Sequence, residues 1–513
     1  MSRLAKTIQN AKVGVFFHLL FLGVQFFARK VFLDNLGDDF IGTISTLQSF
    51  LGFLNLAELG IGTAIGFVLY KPIFDNDTKE ISQIIRFLGH IYKKIGLVIL
   101  ASAIILAACF PFIFNDTSVQ LGLVYYAFFV FLAGSLFGYF FNYHIFLLQA
   151  DQKDFIVTRV FQSFNVSKII LQIIVVLFLK SFFLYLTLEL VSNIAFTIFI
   201  RIKLRKEYPW LSLAYTKQEK IKDFENYPFL VKKIKQISLH KLGTFISGGT
   251  NNILIFSFIS AQMVTFFGNY NLLITNADQL VTKLFSGTNA SVGNLIAEKD
   301  AQKNQQVFWE LMALRFFIGG VGFIGILTLI DPFIRVWLGE KYILSLSVLL
   351  VFGINFFLGQ IRQPVDVFKQ GYGLYADTWA PVAQGVINLA VSFALANPLG
   401  LTGILLGNTV SLLIIVMIWR PYYLYKKGFE SHLKSYLWGF CKHLLVFCLF
   451  MVPTYYIVAF LPLQINDFIG VGIKILIVLF IAALIYGLLL YLTHRHFRDL
   501  LKRLYSNVAK KAR

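Results

Sequence analysis

In an apolar stretch centred near residue 277, Asn271, Thr275, Asp278, Thr282, Ser286 and Asn289 recur at intervals of four, three, four, four and three. Those intervals trace one face of an α-helix. A face of amides, hydroxyls and a carboxylate lines water or protein, not lipid. Gln279 and Lys283 widen the stripe. An ionisable side chain at mid-bilayer is costly enough to mark a functional position; the structural alternative is that Asp278 and Lys283 pair with neighbours for packing alone. A second face lies near residue 55, where Ser45, Gln48, Gly52, Asn55, Gly62 and Gly66 follow spacings of three, four, three, seven and four, with Glu58 beside them. Close helix approach accounts for the glycines but not for Glu58. His18, Gln25 and Arg29 share a face of the first apolar stretch. Snorkelling to the headgroups is the competing reading for Arg29 and its neighbour Lys30. Thr250, Asn251 and Asn252 add amides that serve either a cargo or interhelical hydrogen bonds. The chemistry open to these groups is recognition inside a membrane. Bond-making machinery is missing, because the chain has no Gly-rich phosphate loop, metal-ligand spacing, nucleotide-sugar domain or nucleophile triad.

The elements that must position these residues are membrane helices. The chain has 57% hydrophobic and 14% charged residues and a mean hydropathy of +0.72, which leaves too little polar surface for a water-soluble globule of 513 residues. A bilayer core of about 30 Å takes about 20 apolar residues per helix. Fourteen stretches meet that need, centred near residues 23, 55, 103, 132, 170, 192, 254, 277, 320, 353, 387, 411, 448 and 480. Fourteen is even, so both ends lie on one side. The net charge is +20, and all but seven of the 46 Lys and Arg fall at the termini or in every second gap. Those segments are expected in the cytoplasm. The opposite gaps, such as residues 34–39, 115–118 and 331–342, are short and hold no folded external domain. The exceptions are Arg29, Lys30, Lys180, Lys283, Arg335, Lys341 and Lys474.

A strongly basic chain raises the question of nucleic acid, but the charge is spread over short loops without a nucleic-acid fold signature. The basic residues 1–12 run straight into an apolar span, as in a retained first helix. Cys109, Cys441 and Cys448 lie within expected helices and form no metal set, so packing explains them. Residues 201–241 form the longest break; Ile221, Phe224, Leu230, Ile234 and Ile237 alternate there with lysines as in an interfacial amphipathic helix. The break divides the chain into a six-helix lobe (1–205), an amphipathic linker (206–241), a second six-helix lobe (242–430), two further helices (431–495) and a basic tail (496–513). A faint echo between GIGTAIG at residues 60–66 and SGTNASVG at 286–293, six helices later, fits two parallel halves.

Several motifs resemble bacterial polysaccharide repeat-unit flippases, the Wzx-type members of the MOP exporter superfamily. They are LNLAELGIGTAIGFVLYKPIFDND (54–77), HKLGTFISGGTNNILI (240–255), FGNYNLLI followed by ASVGNLIAEKD (267–300), GYGL from Gly371, Ala380-Pro381, Asn388-Leu389 and GLTGILLGNT from Gly400. The resemblance covers essentially the whole chain. Two positions depart from it: Asn251 stands in Thr-Asn-Asn where relatives often read Thr-Asp-Asn, and Asp377 stands where a basic residue is expected.

The resemblance implies an all-α integral membrane fold of about fourteen helices, two pseudo-symmetric six-helix lobes of the MATE and MOP type with two added C-terminal helices. It implies a bacterial inner membrane, both termini cytoplasmic, and alternating access. The implied cargo is an undecaprenyl-pyrophosphate-linked oligosaccharide for O-antigen, capsule or exopolysaccharide, with membrane lipids and polysaccharide polymerase machinery as partners and no nucleic acid. A pyrophosphate in a low-dielectric cavity needs cations, which makes Arg29 and Lys283 the diphosphate candidates. Gln25, Gln48, Asn55, Asn251, Asn252, Asn271, Thr275 and Gln279 are the polar candidates for the sugars. Glu58 and Asp278 are candidates for coupling to Na+ or H+, without another cofactor or a resident metal. A multidrug or cation exporter of the same superfamily shares the fold but favours an anionic cavity. A membrane polymerase, ligase or glycosyltransferase needs an external catalytic loop longer than the dozen or so residues available here.

Overall fold

The structure is a computed structural model that describes residues 3–55, 61–115, 117–211, 249–285, 287–461 and 467–511. Glu58, Ser286, the His18 side chain and residues 212–248, which hold most of the expected linker, lie outside the described residues. The described residues are helical and include no strand.

Among them, ten helices are long and apolar enough to cross a membrane. The fourteen apolar stretches correspond to these ten spans and to described pieces that are shorter or more polar. The stretches near residues 387 and 411 form one 49-residue run, Trp379–Lys427, bent where Gly400 takes φ 56° and ψ −133°, a conformation that a Cβ disfavours. The stretch near 55 is described as helices of 17 and 15 residues on either side of residues 56–60, which lie outside the described residues, and the one near 254 is described over only 8. The helix near 277 is 24 residues long but is diluted by its polar stripe.

The chain divides into two compact units, Met1–Phe245 with Ile255–Thr265, and Ile246–Leu254 with Phe266–Arg513. The first unit contains α1 (Arg3–Leu36), α2 (Asp38–Leu54), α3 (Ile61–Asp75), α4 (Thr78–Ala108), α5 (Phe110–Ile113), α6 (Leu121–Phe141), α7 (Ile145–Ala150), α8 (Asp154–Leu179) and α9 (Phe182–Glu207). Helix α1 packs along α8, α8 along α9, and α9 along α6, which also meets α2 and α4. Gly37, at φ 83°, turns the chain between α1 and α2. Side-chain oxygens start the later helices: Asp77 accepts from the Glu80 N–H at α4, and Ser181 from the Leu184 N–H at α9. Outward faces are apolar, with Phe74, Ile105, Phe112 and Phe178 exposed. In lipid, contact between apolar faces gains little from the hydrophobic effect, so close fit and interhelical hydrogen bonds hold such bundles. The Asn142 amide accordingly donates to Thr197 Oγ1 at 3.0 Å, and the Gln172 amide donates to the Tyr185 carbonyl at 3.0 Å.

Helices α10 (Asn251–Phe258) and α11 (Ala261–Leu284) contribute to both units. The second unit continues with α12 (Thr288–Ala297), α13 (Ala301–Trp337), α14 (Leu346–Ile361), α15 (Gln363–Gly371), α16 (Trp379–Ser411, prolonged to Trp419 by a wider π-helical turn), α17 (Arg420–Lys427), α18 (Leu433–Ala459), α19 (Phe468–Thr493) and α20 (Arg495–Lys511). Its axis is α13, 37 residues long and therefore about 55 Å at 1.5 Å per residue. Helices α14, α18, α19 and α20 all pack on it. The glycines of α13 make this possible: a Cβ at Gly319, Gly320 or Gly322 would collide with the ring of Phe357, Tyr486 or Phe356. Tyr486 in turn stacks on Phe450 at 4.2 Å, so the last two long helices are fitted to α13 ring by ring.

Candidate functional site

The second unit contains a chain of polar groups inside otherwise apolar helices. Arg315, in the middle of α13, is 8% exposed, and Gln360, near the end of α14, is 1% exposed. The Arg315 Nη1–H donates to Gln360 Oε1 at 2.8 Å, and the Gln360 Nε2–H donates to Asp278 Oδ1 on α11 at 2.7 Å. Phe285, just beyond α11, lays its ring 4.6 Å from the Arg315 guanidinium carbon, a cation–π contact. Arg315 and Asp278 are too far apart in sequence for one helix to pair them. Three helices must assemble before the charges balance.

A second network begins two residues after Gln360. Arg362 Nε lies 3.7 Å from Asp366 Oδ2, and Arg420 Nη1 lies 2.7 Å from Asp366 Oδ1. Arg420 also donates from Nη2 to Gln384 Oε1 at 3.2 Å. Two guanidinium groups thus share the Asp366 carboxylate. The field of Arg362 also reaches Asp278. Beside this network Asp377, 3% exposed, accepts from Lys369 Nζ and from the Trp419 indole N–H at 3.3 Å. The acidic residue at this position is therefore a buried acceptor that fastens the α15–α16 connection to the α16–α17 joint.

The polar stripe of α11 is largely open. Asn271, Thr275, Gln279, Thr282 and Lys283 are exposed, as is Asn289 on α12, whereas Asp278 is half-buried by its bond to Gln360. Thr275 Oγ1 lies 3.4 Å from Asn271 Oδ1 within the stripe. Asn251 and Asn252 are half-buried, and Asn251 Oδ1 is buried without a hydrogen-bond partner.

In the first unit, Arg29 Nη2–H donates to the Thr265 carbonyl at 3.2 Å, and Thr265 Oγ1–H donates to the Asp38 carbonyl at 2.7 Å. These bonds tie the start of α11 to the α1–α2 corner. Gly42 faces the same segment, where a Cβ would collide with the Ala261 carbonyl. Lys30 pairs instead with Asp34 on the exposed side of α1. Asn55 Oδ1 accepts from Ser135 Oγ at 3.0 Å and from the Tyr139 hydroxyl at 3.1 Å. Gln48 is exposed and Gln25 half-buried.

Four functional candidates were missed by sequence reasoning. Arg315 and Lys168 count as loop charges when basic residues are sorted by gap, yet both lie well inside long helices. Lys168 on α8 pairs with Glu189 on α9 at 2.9 Å. Glu189 and Gln360 each interrupt an apolar run, LYLTLELV and NFFLGQI, which is the signal that could have found them.

No protein-family model matches the chain, and no curated protein does. Solved structures do. One, described as lipid II flippase MurJ in an inward closed conformation, aligns with a TM-score of 0.66 at 16% identity and covers 97% of this chain and 100% of its own. An inward-facing multidrug resistance MATE family transporter of the MOP superfamily aligns at 0.60 and 15% identity, covering 82% of this chain and 94% of its own. An outward-facing one aligns at 0.52 and 15%, covering 83% and 94%. The chain has the MurJ and MATE fold.

Proposed function

We propose that this protein is a flippase that carries an undecaprenyl-pyrophosphate-linked oligosaccharide from the cytoplasmic to the outer leaflet of a bacterial inner membrane by alternating access. The observation that carries the reading is the exposed polar stripe of α11 with Lys283 on it, set in a chain whose fold matches a lipid II flippase from end to end. A pyrophosphate leaving water needs charge-assisted partners; Lys283 and Arg29 fill that role. Gln25, Gln48, Asn55, Asn251, Asn252, Asn271, Thr275 and Gln279 hydrogen-bond the sugars, and Asp278 and Glu58 couple the cycle to H+ or Na+. The exported units feed a polysaccharide polymerase on the outer face. The likeness to MATE transporters supports a second reading, export of organic cations on the same fold.

Reconstituted vesicles separate the two. The protein should move a fluorescent polyprenyl-pyrophosphate oligosaccharide between leaflets, measured by protection from a membrane-impermeant quencher, and should not concentrate an organic cation. Arg29→Ala and Lys283→Ala should each lower the flipping rate at least tenfold at equal expression. Undiminished flipping in both variants would remove the cationic assignment, and cation uptake without flipping would replace the flippase by the exporter.

A further inference from the structure

We propose that Asp278, Gln360 and Arg315 form an exchange relay in which an anionic group arriving at Arg315 makes Asp278 take up a proton, so that anion binding and proton binding are one coupled event. The inference rests on the flippase reading above and gives that reading its regulation.

The orientation of the Gln360 amide is dictated by its neighbours. A guanidinium offers only donors, so Gln360 must turn Oε1 to Arg315, and its Nε2–H is then left to face Asp278 at 2.7 Å. Gln360 is neutral and transmits polarisation between a cation and an anion that do not touch. Arg315 does not deprotonate in proteins, so Asp278 is the one member of the chain that can change its charge.

The groups that face Asp278 from the packed elements are Arg315 on α13, Gln360 on α14 and Arg362 at the head of α15. On its own helix Lys283 is exposed. Arg362 has Asp366 at ion-pair distance, 3.7 Å from Nε without a hydrogen bond, and Asp366 is held from the far side by Arg420 at 2.7 Å. Among the described residues, Arg315 has no carboxylate of its own other than Asp278, reached through the amide. It is also the cation of the two that lies covered, under the Phe285 ring at 4.6 Å. A phosphate oxygen that displaces this ring places a second anion on a cation that already balances Asp278. In a low-dielectric setting the uncompensated negative charge is costly. One proton on Asp278 removes it: an O–H bond forms at Oδ2, the proton being taken from hydronium in bulk solvent and leaving water, while Oδ1 keeps accepting from Gln360. Release of the anion returns the proton.

The sign of the linkage follows. An anion that raises proton affinity binds more tightly as pH falls. The test uses the full chain in lipid nanodiscs and, as probe, farnesyl pyrophosphate esterified with one N-acetylglucosamine, whose two phosphates each keep one charge over the range used. Its Kd, measured by calorimetry from about pH 8 down to about pH 6, should fall roughly tenfold per pH unit for a one-proton linkage. Asp278→Asn should bind with a pH-independent Kd, no weaker than the wild type at the acid end, because the amide carries no charge to neutralise. Arg315→Gln should lose binding at every pH; if it does not accumulate, Asp278→Asn decides alone, since a merely structural role would leave the pH slope in place. A wild-type Kd independent of pH, or an Asp278→Asn slope equal to the wild type, overturns the relay while leaving the flippase reading intact. No binding of the probe at any pH, with an organic cation bound instead, overturns the reading on which the relay rests.

Discussion

Acidification should loosen the first unit through one histidine. His144 sits in the turn between α6 and α7, is 2% exposed, and has no hydrogen-bond partner at either ring nitrogen. Burial first, and the positive field of Arg201 second, pull its pKa from 6.5 down to about 4. An unfolded chain therefore binds a proton as pH falls through 6.5, while the folded unit refuses it until about pH 4. Stability is full above pH 6.5 and drains away across that window. At about 1.4 kcal/mol per pH unit the loss reaches about 3 kcal/mol. The control is His144→Leu, which cannot titrate and removes two buried nitrogens that lack partners. For a unit of this size about 1 kcal/mol corresponds to roughly 2–4 °C, so the wild-type Tm should fall by about 6–12 °C more than the variant's between pH 7 and pH 4. Thermal unfolding in detergent, followed by tryptophan fluorescence, reads this directly. His494, which burial also lowers to about 4, is common to both proteins and cancels in the difference. Parallel Tm curves for the two proteins across the range would show that His144 is not held neutral by its surroundings.

Lys153 lies 2.7 Å from both Asp151 and Glu207, and the Tyr208 hydroxyl donates to Asp151 at 2.8 Å, so the end of α9 is clasped to the α7–α8 turn; Lys153→Met should cost about 1–2 kcal/mol locally and speed hydrogen exchange at residues 204–211 without changing the rest of the unit. Gly320→Leu should destabilise the second unit by about 1–3 kcal/mol because its side chain meets the Tyr486 ring, whereas Gly325→Ala, whose Cβ would find ordinary 3.5 Å contact with Leu479, should be tolerated; equal Tm values for the two variants would contradict the ring-by-ring fit of α19 on α13.

Hydropathy and helical spacing make the long helices legible because lipid imposes one rule on every outward face. The same rule fails where a helix is built to be polar on one side. The stretch near 277 is a helix of 24 residues, but it carries its stripe of amides and hydroxyls, so it does not look like an ordinary span. The stripe itself, with Asp278 and Lys283, is readable from the intervals alone. Its partners are not. Arg315 is 45 residues from Gln360, and Gln360 is 82 residues from Asp278; no local pattern joins them. Sorting basic residues by gaps between span centres goes astray for the same reason, since a cation deep in a long helix is assigned to whichever loop is nearer. In LMALRFFIGG, Arg315 has apolar residues on both sides, which a finer count would have separated from the true loop charges.

The two units balance their intramembrane charges in different ways, and the difference bears on where a charge can be exchanged. Lys168 and Glu189 touch directly across α8 and α9 at 2.9 Å. A ligand that took Lys168 would strand Glu189 beside it, half-buried and without its partner, which is costly among apolar helices. Such a pair resists exchange and suits a fixed helix contact. Arg315 and Asp278 are instead separated by a neutral amide, and Asp278 stands at the edge of an exposed polar face. Either end of that chain can change partners while Gln360 continues to satisfy the other. The second unit therefore has the arrangement in which a charge can arrive, be neutralised and leave without the helices coming apart.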